Sequence, residues 1–426
     1  MLKLPPQYNN RNMERFIINC VKKLLKHSIQ MKKNLLLLLL FASILLFNHP
    51  LSAQNIAGYD PLGRRFGSTV QPAVPFLHII PDARSGAMGD VGIALTPDAN
   101  SIHYNASNLA MADKKWGAAV NYTPWLRNLG TDEIYLFHAA GYYQFGKKRK
   151  QIIGLEFNYF SLGYIYFNIF GLPFGEGRTY ETALKGSYSR QLSDKWAIGL
   201  SAKYITSDLP RQFFSSNGTQ LQAIKALAVD ISTTYKKPIT FKGLNTNLII
   251  GAVVSNIGNK VSYLSEGNHD FLPTNLGIGG AWEMPFNADH KLLVSIEFNK
   301  LLVVNPQAKD STGSWKNVSA LKGMFISFSD APNGFKEEMQ EITTSMGIEY
   351  WLMQHMALRA GYFHENKNKG AREFYTIGGG FRYRLYGLNI SYLLPTNTKK
   401  SPLDNTWRFS LLLNGFTSKV AQLSSI

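Results

Sequence analysis

Trp196-Ala197-Ile198-Gly199-Leu200-Ser201-Ala202-Lys203-Tyr204 is the stretch that decides the fold. Side chains of an extended strand point alternately to its two faces, so Trp196, Ile198, Leu200, Ala202 and Tyr204 share one face and Ala197, Gly199, Ser201 and Lys203 the other. The pattern recurs. Ile153, Leu155, Phe157 and Tyr159 alternate with Gly154, Glu156 and Asn158, and Leu292, Val294, Ile296 and Phe298 with Ser295, Glu297 and Asn299. Leu388, Ile390, Tyr392 and Leu394 alternate with Asn389 and Ser391, and Trp407, Phe409, Leu411 and Leu413 with Arg408, Ser410 and Asn414.

A soluble sandwich and a membrane barrel both give this alternation, and three features favour the barrel. Aromatic residues stand at the ends of the apolar faces: Trp196 and Tyr204 bracket one segment, and Tyr159, Tyr188, Tyr235, Tyr350, Tyr362 and Tyr383 lie at or near the ends of others. The segments run about 9 to 13 residues, whereas a globular strand has about 5–6. Finally, the connections alternate in length. Strands are expected near 115–124, 134–145, 151–162, 179–192, 196–206, 224–236, 245–256, 274–285, 291–302, 341–352, 356–365, 373–385, 388–396 and 405–415. Connections after even-numbered strands are short, and several after odd-numbered ones are long: 163–178, 207–223, 257–273 and 303–340. The expected fold is therefore all-β, a closed 14-stranded antiparallel transmembrane barrel over residues 113–415, with a tail at 416–426.

In such a barrel Glu156, Lys185, Lys203, Asp230, Glu297, Glu349, Arg359, Arg382 and Arg408 face the lumen. They could line a polar conduit or ligand site. The plainer reading, which we prefer, is a mutually neutralising network that fills a narrow interior.

Composition agrees with a wall that is only partly in water. The chain has 426 residues, 45 % hydrophobic and only 17 % charged, with 21 Tyr, 26 Phe and 36 Gly, against roughly 25 % charged in soluble domains. Its +17 charge would suit nucleic acid, but residues 1–53 carry eight basic side chains and one acid, which leaves a scattered +10 in the remainder. Nucleic acid is not expected as a partner. Met31-Lys32-Lys33, the 13-residue apolar run Leu35 to Phe47, and Leu51-Ser52-Ala53 read as a cleaved signal peptide, with residues 1–30 an upstream mis-assigned start. The apolar run is shorter than the roughly 20 residues a spanning helix needs. The sole cysteine, Cys20, then lies outside the mature chain.

Residues 54–112 lack the two-residue period and are expected to form an N-terminal periplasmic hatch of turns and a short helix packed in the periplasmic mouth of the barrel. Gly86, Gly89 and Gly92 fall at a spacing of three, but without the spacing of a dinucleotide loop or the Lys-Ser/Thr of a phosphate loop. No H-E-x-x-H occurs, and His364-Glu365 stands alone, so no metal or other cofactor is expected. In the long loops Trp125, Leu126, Phe213, Phe214, Phe271, Leu272, Trp315, Phe325, Phe328 and Phe335 are apolar residues in polar surroundings, the composition of anchors for a protein partner.

Ala83 to Gly92 together with Tyr104-Asn105 resembles the N-terminal signature of the FadL-like barrel superfamily, with Ala106-Ser107 where Pro-Ala is usual. A wider resemblance rests on Val74-Pro75-Phe76-Leu77, Pro81-Asp82-Ala83-Arg84, Tyr122-Thr123-Pro124-Trp125-Leu126, Phe298-Asn299-Lys300-Leu301-Leu302-Val303, Phe325 to Pro332, and Leu358 to Glu365 with Asn368-Lys369-Gly370. These segments, in this order, resemble the PorV (LptO) family of outer-membrane barrels of the Bacteroidota type IX secretion system. The resemblance implies a FadL-like barrel in the outer membrane, in contact with bilayer and lipopolysaccharide. It also implies a barrel that takes the C-terminal signal domain of secreted cargo at the large translocon barrel (SprA/Sov) and carries it to the sortase attachment complex (PorU). The alternative is FadL-like passage of hydrophobic small molecules, which requires an apolar lumen. Deacylation of lipopolysaccharide would require a serine with a base, but there is no G-x-S-x-G, and none of the histidines of the mature chain has an adjacent nucleophile in sequence. The expectation is a protein that is not an enzyme.

Overall fold

A computed structural model describes residues 62, 64, 70, 72–127, 133–146, 149–169, 172–208, 222–263, 269–305, 317–395 and 402–415. The expected leader at 1–53, the tail at 416–426, and Phe213, Phe214 and Trp315 lie outside these residues. Fourteen antiparallel strands form the wall. They are β1 (Trp116–Pro124), β2 (Ile134–Phe145), β3 (Gln151–Ile169), β4 (Leu172–Gln191), β5 (Trp196–Asp208), β6 (Ile224–Phe241) and β7 (Leu244–Gly258), followed by β8 (Asn275–Pro285), β9 (His290–Leu301), β10 (Ile342–Leu352), β11 (Met356–His364), β12 (Glu373–Tyr383), β13 (Tyr386–Pro395) and β14 (Trp407–Asn414). Each pairs with its neighbours in sequence, and β1 pairs with β14, from Gly117 opposite Asn414 to Tyr122 opposite Phe409. The sheet closes on itself, so no edge is left unpaired.

The side-chain environments are the reverse of those in a soluble sandwich. On β5, Trp196, Ile198, Leu200 and Tyr204 are exposed, whereas Ala197, Ser201 and Lys203 are buried. Leu200 is 55 % exposed, Ile153 52 % and Leu227 70 %, while the charged Glu156, Lys185, Asp230 and Glu349 are buried inside. A wall that turns its leucines outward and its carboxylates inward is stable only where acyl chains replace water. Among the described residues no helix is long and apolar enough to cross a membrane. Aromatic contacts band both rims. Tyr122–Tyr135, Tyr135–Tyr159 and Tyr159–Tyr180 follow one another at 5.7, 6.1 and 5.8 Å, while Phe145–Tyr188 (6.5 Å) and Trp196–Tyr235 (5.2 Å) mark the opposite end.

Two segments expected as connections are strand instead. Residues 163–169 and 172–178 extend the β3–β4 hairpin, which stays paired to Ile169 and Leu172 by absorbing register shifts at Ser161/Gly163 and Phe167/Asn168. Gly163, with φ +78°, sits at the first shift, where an L side chain would be strained. Likewise β6 continues to Phe241, so that hairpin turns at Lys242 and Gly243. The long connection after β9 carries two short helices, α3 (Ala320–Ile326) and α4 (Phe335–Gln340).

Residues 73–112 lie within the wall. They comprise a 3-10 turn at Pro75–His78, α1 (Ala83–Gly86), α2 (Ser101–Tyr104) and a second 3-10 turn at Ala106–Met111. The largest apolar core forms where Val74, Phe76, Leu77 and Ile79 meet inward residues such as Phe160, Ile205, Phe363 and Leu393, with Phe76 stacked 6.1 Å from Phe160. A smaller one packs Ile102, Leu109 and Met111 against Ala119, Ile152 and Ala197.

Candidate functional site

The inner segment is held by charge. Asp82 caps α1 by accepting hydrogen bonds from the Arg84 and Ser85 amides, and it takes a third from the Tyr104 hydroxyl at 2.5 Å. That cap aims Arg84 at the wall. Its guanidinium donates twice to Glu349 on β10, both at 2.8 Å, and also meets Asp98 at 3.1 Å and Thr96. Arg359 on β11 donates from Nε to Glu349 Oε2, which it shares with Arg84, at 2.7 Å, and to Asn389 on β13 at 3.0 Å. All four ionic groups are buried, so each is stable only with its partners in place. Burial opposes the charge on Arg84, but the attraction of Glu349 and then Asp98 more than offsets it and raises its pKa.

A second cluster anchors α2. His103 Nδ1 lies 2.7 Å from Glu156 on β3, and Lys185 on β4 donates to the carbonyls of Ile102 and His103. Lys185 also meets Asp230 at 2.8 Å, which Lys203 holds at 3.0 Å. Two carboxylates and two ammoniums thus balance. His103, His138 and Glu156 come close enough to share a metal ion. However, Glu156 Oε1 already engages His103 and accepts from Asn158 at 2.6 Å, and Lys185 stands 3.8 Å from Oε2. A divalent ion there would leave excess positive charge in a buried site, so the arrangement fits an ionic clasp better than a metal centre.

The remaining inward charges are also placed. Glu297 on β9 accepts from the Gly92 and Ile93 amides at 2.8 and 2.9 Å. Arg408 on β14 donates to the Ile80 carbonyl at 3.2 Å and lies 3.4 Å from Asp90. Arg382 differs from the others: it sits over the Trp351 ring at 4.2 Å, with no contact to the inner segment among those described. The spaced glycines now have a structural reason. A Cβ on Gly86 would meet Arg408 at 2.6 Å, one on Gly92 would strike the Tyr104 ring, and Gly89, at φ +69°, lies against the backbones of Met346 and Tyr362. Gly86 and Gly89 allow close approach to the wall, and Gly92 makes room for Tyr104 of α2. Above them is a cavity of about 180 Å³ lined by apolar residues such as Leu77, Val253 and Phe363 and by Asp90, Glu297, Lys369 and Arg372. His78 borders it and donates from Nε2 to the Pro273 carbonyl at 2.8 Å; burial, only partly opposed by that bond, lowers its pKa to about 4.

The apolar loop residues divide. Trp125, Leu126 and Leu272 are buried in the main core, and Phe271 packs on Val303 and Val304 under Lys260, so these four present no surface to a partner. The expectation that they are anchors is corrected: they close the barrel end, where apolar area is better covered by the chain itself. Phe325 (77 % exposed), Phe328 and Phe335 (79 % exposed) do face outward, joined by Leu321 and Met339. Phe328, Phe335 and Met339 line a groove of about 190 Å³ whose other side is Leu276, Ile278 and Phe298 of the outer wall. Sequence reading missed Leu321 and Met339, which become neighbours of the phenylalanines only through α3 and α4. It also missed Arg84, Asp98, His103 and His138, although Asp82-Ala83-Arg84 carries a visible helix-cap signal.

A closed barrel with apolar residues outside, ionic groups inside and an inner segment clasped to its wall is an outer-membrane β-barrel. Residues 64–308 match the family model described as type IX secretion system protein PorV, and the chain belongs to that family. Solved structures also align with it. The toluene transporter TbuX of Ralstonia pickettii is 11 % identical, with 79 % of this chain and 98 % of that one covered and a TM-score of 0.47. The toluene transporter TodX of Pseudomonas putida is 14 % identical (78 % and 96 % covered, TM-score 0.44), and a Pseudomonas aeruginosa FadL homologue is 12 % identical (82 % and 99 %, 0.41). Among curated proteins none matches the chain.

Proposed function

We propose that this barrel carries secreted proteins by their C-terminal signal domains, receiving them at the type IX translocon and delivering them to the sortase attachment complex at the cell surface. Membership in the PorV family supports the pathway. The observation that carries the reading is the outward apolar face of α3 and α4, where Leu321, Phe325, Phe328, Phe335 and Met339 cluster on the rim with the long loops. Large exposed aromatics of this kind are what a protein partner covers. In this reading that rim faces the cell exterior. Passage of hydrophobic molecules is less well supported, because the inner segment occupies the lumen and the cavity beside it bears Asp90, Glu297, Lys369 and Arg372.

The test is a Phe325→Asp/Phe335→Asp double variant, assayed by isolating the barrel from native outer membrane and measuring the cargo that co-purifies. Both residues are exposed, so the barrel is expected to insert normally while cargo recovery falls at least about tenfold. Unchanged recovery would refute the placement of the cargo on this face.

A further inference from the structure

Beside that apolar face, and outside the luminal clasp, the loop after β9 gathers acidic groups. Asp330 follows α3, Glu337 and Glu338 lie on α4, and Glu341 follows it. One carboxylate oxygen from each of Asp330, Glu338 and Glu341 lies within 4.8 Å of the others. Lys300 reaches in from β9 to Glu338 at 2.9 Å and Glu341 at 2.6 Å, and Lys369 bridges Glu341 and Glu337 at 3.1 and 2.6 Å. Among the described residues Glu337, Glu338 and Glu341 pair with two ammoniums, Lys300 and Lys369. Asp330 is only 8 % exposed, and while its Oδ2 accepts from the Asn305 amide at 2.7 Å, its Oδ1 accepts no hydrogen bond among the described residues. A buried carboxylate oxygen without a donor costs free energy unless a cation faces it.

We propose that Asp330, Glu338 and Glu341 form a calcium site that pins the helical loop to the barrel rim. The donors are all oxygen, which selects a hard cation over zinc or copper. Oxygens within 4.8 Å of one another fall inside the roughly 5 Å that two ligands of one calcium ion at about 2.3–2.6 Å can span, and calcium's flexible coordination tolerates an irregular trio where magnesium demands near-ideal octahedral geometry. Lys300 competes for two of the three ligands.

The experiment uses the full chain in detergent, stripped with a chelator and titrated with calcium chloride by equilibrium dialysis. Fold retention is checked by heat-dependent migration on gels. One saturable calcium ion per chain is expected at free concentrations up to about 1 mM, the range of extracellular sites. Asp330→Asn, which keeps the side-chain shape, is expected to weaken binding at least about tenfold, whereas Lys300→Met, which frees Glu338 and Glu341, is expected to strengthen it. Absence of saturable uptake by the folded barrel, equal binding by Asp330→Asn, or equal affinity for magnesium would overturn the assignment.

Discussion

Leu200 and Ser201 are adjacent in the chain and opposite in environment: Leu200 lies on the outer wall, and Ser201 is 3 % exposed in the lumen. The outer face meets a uniform apolar surroundings, and any large apolar side chain of suitable width serves there. On the inner face each group is matched to particular partners, as Arg84 is to Glu349 and Asp98, and Lys203 to Asp230. Substitutions should therefore be governed by pairing inside and by polarity outside.

The largest effect is expected within the lumen. Glu349→Ala leaves two buried guanidiniums, Arg84 and Arg359, facing each other without their shared carboxylate, a loss of about 3–5 kcal/mol. It should lower the denaturant midpoint and open residues 73–112 to protease. Leu200→Arg tests the outer face. A cation at mid-wall should cost about 2–4 kcal/mol when unfolding is followed in lipid vesicles, and the same residue placed at the rim much less. If Leu200→Arg were neutral in lipid, the outward face would not be in acyl chains. Gly361→Ala should come next, at about 1–3 kcal/mol, because its Cβ would strike the Gly89 and Met88 backbones. Protease cleavage within residues 73–112 would again report it.

A pH effect is the smallest of the four. His78 is harder to protonate in the folded chain, with a pKa of about 4 against an ordinary 6.5. Its contribution to packing is thus complete above about pH 6.5 and declines as the pH falls from there through 4. His78→Gln, which keeps a donor for the Pro273 carbonyl, should flatten the acid-induced loosening between those values in hydrogen exchange. An unchanged profile would assign that loosening to other groups.

The same contrast explains what could be read from the chain. All fourteen strands were legible because a two-residue period is local and repeats along each one. The β3–β4 extension was hidden by Gly163, Pro173, Gly175 and Gly177, which read as loop although the strands continue through their bulges. Glu349 and Arg359 could be placed inside because they alternate with lipid-facing neighbours. Arg84 could not be, since it lies in a segment without periodicity and reaches a partner 265 residues away. The burial of Trp125 and Leu272 was equally invisible, because loop composition does not reveal whether a loop folds over its own barrel.

The seam between β1 and β14 has a consequence for biogenesis. Its second half belongs to β14, so the sheet keeps two raw margins until that strand pairs with β1. The segment clasped by Arg84 precedes that seam and ends up encircled by it, and the two 3-10 turns and ionic clusters would be hard to thread through a finished ring. Closure is therefore best timed after docking, with the inner segment serving as the mandrel around which the cylinder is wrapped.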